Sequence, residues 1–173
     1  DNGDWGGVGG VRMSAGRLLS CVVASNYGGR STADMGGLDI SGGEARDILL
    51  YNNIDSSLLS CAGNAVAGGA RVAGSGRLIN SLIAGNKGNG IYQSGGSIQN
   101  CTIVRYLRAG LHQTAGGITN SIIVYNNNGG VNITGGSGMI RYCCCPEMPN
   151  DPGGSGNVSG DPAFVDSGSG YGE

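Results

Sequence analysis

The stretches GGVRMSAGRLLSCVVASN (residues 9–26), GGLDISGGEARDILLYNN (36–53) and GGARVAGSGRLINSLIAGN (68–86) are three copies of one pattern. Each opens on Gly-Gly and an aliphatic residue, crosses a Gly-rich bend and closes on an Asn. The pattern continues as NGIYQSGGSIQNCTIVRY (89–106), AGLHQTAGGITNSIIVYNN (109–127) and GGVNITGGSGMIRYCCC (129–145). The anchoring aliphatics Val11, Leu38, Ala70, Ile91, Leu111 and Val131 are 27, 32, 21, 20 and 20 residues apart. Self-similarity at such a period is the signature of a solenoid, whose units bury their apolar sides only against each other.

Composition agrees. Glycine supplies 37 of 173 residues, far above the usual ~7%. Without a three-residue period, and with only four prolines, collagen is excluded. Hydrophobic residues at 39% recur at fixed offsets, which disfavours disorder. One Trp, one Phe and seven Tyr suit a narrow interior of stacked Val, Ile, Leu, Ala and Cys better than an aromatic-rich globular core. A formal net charge of −2 argues against nucleic acid as a partner. No apolar run approaches the ~18 residues of a membrane span. Asp1 in place of Met suggests a processed product or a fragment.

Within the fifth copy, Leu111 and Gln113 fall on one strand face, His112 and Thr114 on the other. Gly116-Gly117 bends the chain, Ile118 starts a second short strand, Asn120 turns it, and Ser121 and Ile123 continue inward on a third. Stacking gives three inward columns. They are Val11-Leu38-Ala70-Ile91-Leu111-Val131, Leu18-Ala45-Leu78-Ile98-Ile118-Ile140 and Val23-Leu50-Ile83-Ile103-Ile123-Cys145. A bend column of Ser20, Asp47, Asn80, Asn100, Asn120 and Tyr142 calls for left-handed backbone, which Asn tolerates. A second column runs Asn26, Asn53, Asn86 and Asn126, with Tyr106 in the fourth copy. The fold class is therefore all-β, a β-solenoid of about six coils and ~29 Å at ~4.8 Å per coil. Residues 1–7 form an N-terminal segment or cap, 8–145 the coils and 146–173 a C-terminal extension or cap.

NSLIAGN, NCTIVRY and NSIIVYN, together with the closing YCCCP and GNVSGDPAFVD, resemble the right-handed parallel β-helix repeats of the pectate-lyase-like superfamily. The nearest likeness is to repeat regions of large bacterial extracellular and surface proteins. The resemblance spans roughly residues 8–166 and implies a right-handed parallel β-helix and an extracellular or cell-surface setting. It implies no single activity, since this superfold carries lyases, hydrolases, tailspikes and inert stalks alike.

Where such proteins are enzymes, the cleft lies on the outer face of the first sheet. That face is here the column Arg12, Asp39, Arg71, Tyr92, His112 and Asn132, flanked by Ser14, Ser41, Ala73, Ser94, Thr114 and Thr134. It holds one carboxylate between two arginines, a charge ladder rather than the acid pair of glycoside hydrolysis. Glu44 and Asp47 are placed on bends. The expected function is a non-catalytic structural or adhesive module without cofactor or metal, with a surface glycan as a candidate partner. If the chain is an enzyme, a polysaccharide lyase or hydrolase, its residues are Asp39, Arg71, Tyr92 and His112.

Cys21, Cys101 and Cys143 share an inward column, and Cys21 and Cys101 lie three coils, ~14 Å, apart, too far for a bridge. They read as small buried hydrophobes. Cys144 is placed outward and Cys61 on a long turn, so these two remain free to pair. The turns after Asn26 and Asn53 are longer than the rest. Trp5 and Phe164 are the candidate caps, and subunits are expected to meet end to end or through their tails.

Overall fold

The backbone breaks each repeat where the chain must turn left-handed. Ser20, Asp47, Asn80, Asn100, Asn120 and Tyr142, the anticipated bend column, have φ of 51°, 59°, 51°, 55°, 50° and 54°. An L residue loses about 1–2 kcal/mol there, least for Asn and Asp, which hydrogen-bond locally. A computed structural model describes residues 7–28, 35–55, 67–106, 108–126, 132–135, 138–146 and 156–163. Trp5, Cys61, Val131, Phe164 and most of the two long turns lie outside these residues.

Fifteen strands, β1–β15 in chain order, make up the described secondary structure, which contains no helix. The first strand position of each repeat is filled by β1 (Val11–Met13), β4 (Leu38–Ile40), β7 (Ala70–Val72), β10 (Ile91–Gln99), β12 (Leu111–Thr119) and β14 (Ile133–Gly135). The second is filled by β2 (Arg17–Leu19), β5 (Glu44–Arg46), β8 (Arg77–Ile79) and β15 (Met139–Arg141), while β10 and β12 run through both. These ten strands form one curled sheet. The third position, β3 (Val22–Ala24), β6 (Leu49–Tyr51), β9 (Leu82–Ala84), β11 (Thr102–Val104) and β13 (Ile122–Val124), forms a five-stranded sheet. Every pairing is parallel, and each strand's neighbours lie one repeat away in sequence. The arrangement is compatible with a parallel β-helix or solenoid.

The core follows the inward columns. Leu38, Ala70, Ile91 and Leu111, then Ala45, Leu78, Ile98 and Ile118, then Leu50, Ile83, Ile103 and Ile123, are fully buried. Each such Leu or Ile is worth about 1.5–3 kcal/mol in removed apolar surface. The Gly-Gly signature has a steric cause. A Cβ on Gly9 would stand 2.0 Å from the Tyr27 carbonyl oxygen, and one on Gly110 would stand 2.3 Å from the Asn126 amide nitrogen. The second glycine thus leaves room for the asparagine column. In that column Asn26 Nδ2 donates to Asn53 Oδ1 (2.9 Å), Asn53 Nδ2 to Asn86 Oδ1 (2.8 Å) and Asn86 Nδ2 to the Tyr106 hydroxyl (2.8 Å). Tyr106 therefore continues the column where asparagine is absent.

The last repeat departs from the expected register. Leu111 pairs with Ile133, two residues beyond Val131. Asn132 takes the place that glycine holds in other repeats, since Leu111 N–H donates to its carbonyl as Ile91 N–H does to that of Gly110. Its side chain is buried and its Oδ1 accepts both Asn126 N–H (3.0 Å) and Asn126 Nδ2 (2.8 Å). A two-residue slip keeps the inward and outward faces and satisfies a buried amide, so it wins over the Gly-Gly count.

The stack continues past Cys145. Cys144 bridges Ile122 on one side and Val158 on the other, both in parallel. Asn157 Oδ1 accepts Cys143 N–H (3.0 Å), just as Ser121 Oγ accepts Cys101 N–H (3.1 Å) two repeats earlier. Asn157 Nδ2 donates to the Ile140 carbonyl (3.0 Å), where Cys143 Sγ meets that of Ile118. Asn157 and Val158 thus form a further rung inside the segment read as a terminal extension.

Candidate binding face

Register places Arg12 beside Asp39, Asp39 beside Arg71, Arg71 beside Tyr92 and Tyr92 beside His112, so the predicted outer column exists from the first to the fifth repeat. Its sixth member is Thr134; the expected Asn132 is buried in the column behind it. The flanking Ser/Thr column is broken as well. Ser94 pairs with Ala115 rather than Thr114, because β10 and β12 shift register at their Gly-rich bends. Thr114 Oγ1 instead donates to the Gln93 carbonyl.

Asp39 is only 2% exposed. Arg71 holds it with two donors, Nε at 2.8 Å and Nη2 at 3.0 Å, and Arg12 Nε reaches it at 3.2 Å. One carboxylate between two arginines on adjacent strands forms a cross-strand ladder, and the bidentate arm fixes the guanidinium plane. Farther along, the Tyr92 and His112 rings stack with centroids 5.3 Å apart and planes 9° from parallel. Residues in one outward column are neighbours, so the sequence carried the signal for this pair. His112 Nδ1 lies 2.8 Å from Thr134 Oγ1, a contact hidden by the register slip. Nothing brings His112 to Asp39: Arg71 and Tyr92 stand between them.

A second ladder lies on the adjoining strands. Glu44 sits on β5 between Arg17 and Arg77, not on the bend where the sequence placed it. Its Oε1 accepts from Arg46 Nε (3.0 Å) and its Oε2 pairs with Arg77 Nη1 (3.0 Å). The Arg46 hydrogen bond, reinforced by the charges of Arg46, Arg77 and Arg17 against some desolvation, holds the Glu44 carboxyl below its ordinary range. Asp47 does occupy a bend.

The cysteine column is as anticipated. Cys101 and Cys143 are buried, Cys21 is half-buried, and burial pushes the Cys101 thiol up to about 11 and raises that of Cys143. Cys144 is half-buried with Sγ 3.2 Å from the Gly160 carbonyl.

Among the described residues, no three His, Cys, Asp or Glu side chains converge as a metal site. Among the described residues there is no helix long and apolar enough to cross a membrane, which says nothing of a β-barrel. Comparison with protein-family models, curated proteins and solved structures finds no match for this chain.

Proposed function

We propose that the protein is a non-catalytic structural or adhesive module of an extracellular or surface protein, built as a right-handed parallel β-helix whose ends serve self-association. The observation that carries this reading is the state of Asp39. The sole carboxylate of the outer column is buried and bound by two arginines. General acid or base work needs a carboxyl that can reach substrate and exchange a proton. Asp39 instead orients Arg12 and Arg71, and Glu44 does the same for Arg46 and Arg77. Such ladders stiffen a surface and leave guanidinium donors free to meet an anionic or hydroxyl-bearing glycan.

The test is a turnover screen on acidic and neutral polysaccharides with Arg71→Ala and His112→Ala as controls. The proposal expects no product from any of the three proteins. Turnover by the parent that both substitutions abolish would overturn it in favour of a lyase or hydrolase using Asp39, Arg71, Tyr92 and His112.

A further inference from the structure

We propose that residues 156–163 are an intramolecular plug, seated on the strand edge where the first repeat of a second copy of this chain would otherwise add. The inference rests on the reading above that the ends of the stack serve self-association, and adds that one end is closed to a second copy until the plug is displaced.

The two ends differ. Val11 and Leu18 of the first repeat and Ile133 and Ile140 of the last are alike partly buried, but in the third strand position Cys21 is only partly buried while Cys143 and Cys145 are covered. Cys21 C=O accepts from Leu49 N–H and Ser25 N–H donates to Tyr51 C=O, both directed at the second repeat. Successive residues of a strand point their backbone groups to opposite sides, so Val22 presents its N–H and C=O to the edge away from the second repeat, which no other described strand pairs. Unpaired strand edges of this kind recruit other strands unless they are covered.

At the far end the equivalent edge of the third strand position is covered by the chain itself. Asn157 stands in the column of Cys21, Ile48, Ser81, Cys101, Ser121 and Cys143, and Val158 in that of Val22 and Cys144. Asn157 does with one side chain what a full repeat does with several groups, accepting Cys143 N–H and donating to the Ile140 carbonyl. Val158 adds the backbone pair, donating to the Cys143 carbonyl (2.9 Å) and accepting from Cys145 N–H (3.0 Å). The segment is pinned again by the Tyr125 hydroxyl on Asp161 and by Cys144 Sγ on the Gly160 carbonyl. A second copy arriving with its first repeat would place Cys21 and Val22 where Asn157 and Val158 now sit. The plug and the second copy compete for one set of hydrogen bonds.

Light scattering across a concentration series decides. The parent chain is expected at its monomer mass of 17.2 kDa. The double variant Asn157→Ala/Asp161→Ala should rise to at least twice that mass with concentration, its β-type circular dichroism retained. Tyr125→Phe, which loosens the plug by one hydrogen bond and leaves the interior intact, should show a smaller rise. Adding Val22→Pro to the double variant removes a donor from the open edge, where proline is tolerated, and should return the mass to that of the monomer. A parent that associates as readily as the double variant would overturn the proposal. So would folded variants that stay monomeric throughout, or association indifferent to Val22→Pro. Polysaccharide turnover is a separate readout, so the plug and the non-catalytic reading can fail independently.

Discussion

Replacing Asn53 with alanine tests whether the buried asparagine column holds the repeats together. Asn53 Oδ1 accepts from Asn26 N–H (3.1 Å) and Asn26 Nδ2 (2.9 Å), and its Nδ2 donates to the Val23 carbonyl (2.9 Å) and to Asn86 Oδ1. The residue is fully buried. Alanine keeps the backbone bond from Asn53 N–H to Asn86 Oδ1 but leaves the Val23 carbonyl and the Asn26 N–H without their partners. Each buried group so orphaned costs about 1–3 kcal/mol. Asn26 is only half-buried, so water recovers part of its share, and the expected loss is about 3 kcal/mol. For a chain of this length that is a fall of roughly 6–12 °C in Tm. Urea unfolding with an unchanged m-value measures it. Asn120→Gly is the control: its bend has φ of 50°, where glycine is at ease, and the change should stay within about 1 kcal/mol. A loss below about 1 kcal/mol for Asn53→Ala would refute the claim that the amide column carries load between repeats.

Acid should weaken the Glu44 ladder. Its folded-state pKa is depressed, so its stabilisation is fully present above the unfolded-state carboxylate range and is lost as pH falls through the folded value. Glu44→Gln should therefore flatten the acid limb of a urea-midpoint profile as pH falls through the ordinary carboxylate range toward the depressed folded value, and leave it unchanged above that range; an unaltered limb would remove Glu44 as its source. Thiol reactivity should follow burial. Maleimide labelling of the native protein at neutral pH should mark Cys21 and Cys144 before Cys101, Cys143 and Cys145, because the thiolate is the reactive form and burial holds the Cys101 thiol near 11. Labelling of Cys101 as fast as Cys144 in peptide mapping would contradict the inward column.

Much of this architecture was legible in the chain. The bend column from Ser20 to Tyr142 and the inward columns through Ile98 and Ile123 could be read because turn chemistry and aliphatic spacing agree at each repeat. The Arg12-Asp39-Arg71 ladder followed from register alone. The last repeat misled because two registers compete there, one opening on Gly129-Gly130 and one with Asn132 in the place of the second glycine. What decides between them is the buried amide of Asn126, a contact with Asn132 that no local pattern announces. Glu44 was misplaced for a related reason: Gly42-Gly43 marks a bend, but that bend ends one residue before it. The rung at Asn157 and Val158 escaped notice because two residues have no periodicity; only the free edge at Ile140 and Cys143 gives them a partner.

The stacking of one repeat on the next is tested most directly by one new thiol. Ile122 and Cys144 are 22 residues apart in sequence yet stand side by side in parallel on the outer face of the third strand position. Neighbouring strands are ~4.8 Å apart, inside the Cα separation that a disulfide accepts. Ile122→Cys under mild oxidation should form a bond to Cys144, found by peptide mapping, with the β-type circular dichroism of the parent retained. A new thiol that stays reduced beside Cys144, or that pairs instead with Cys21 or Cys101, would contradict the stacked-repeat architecture.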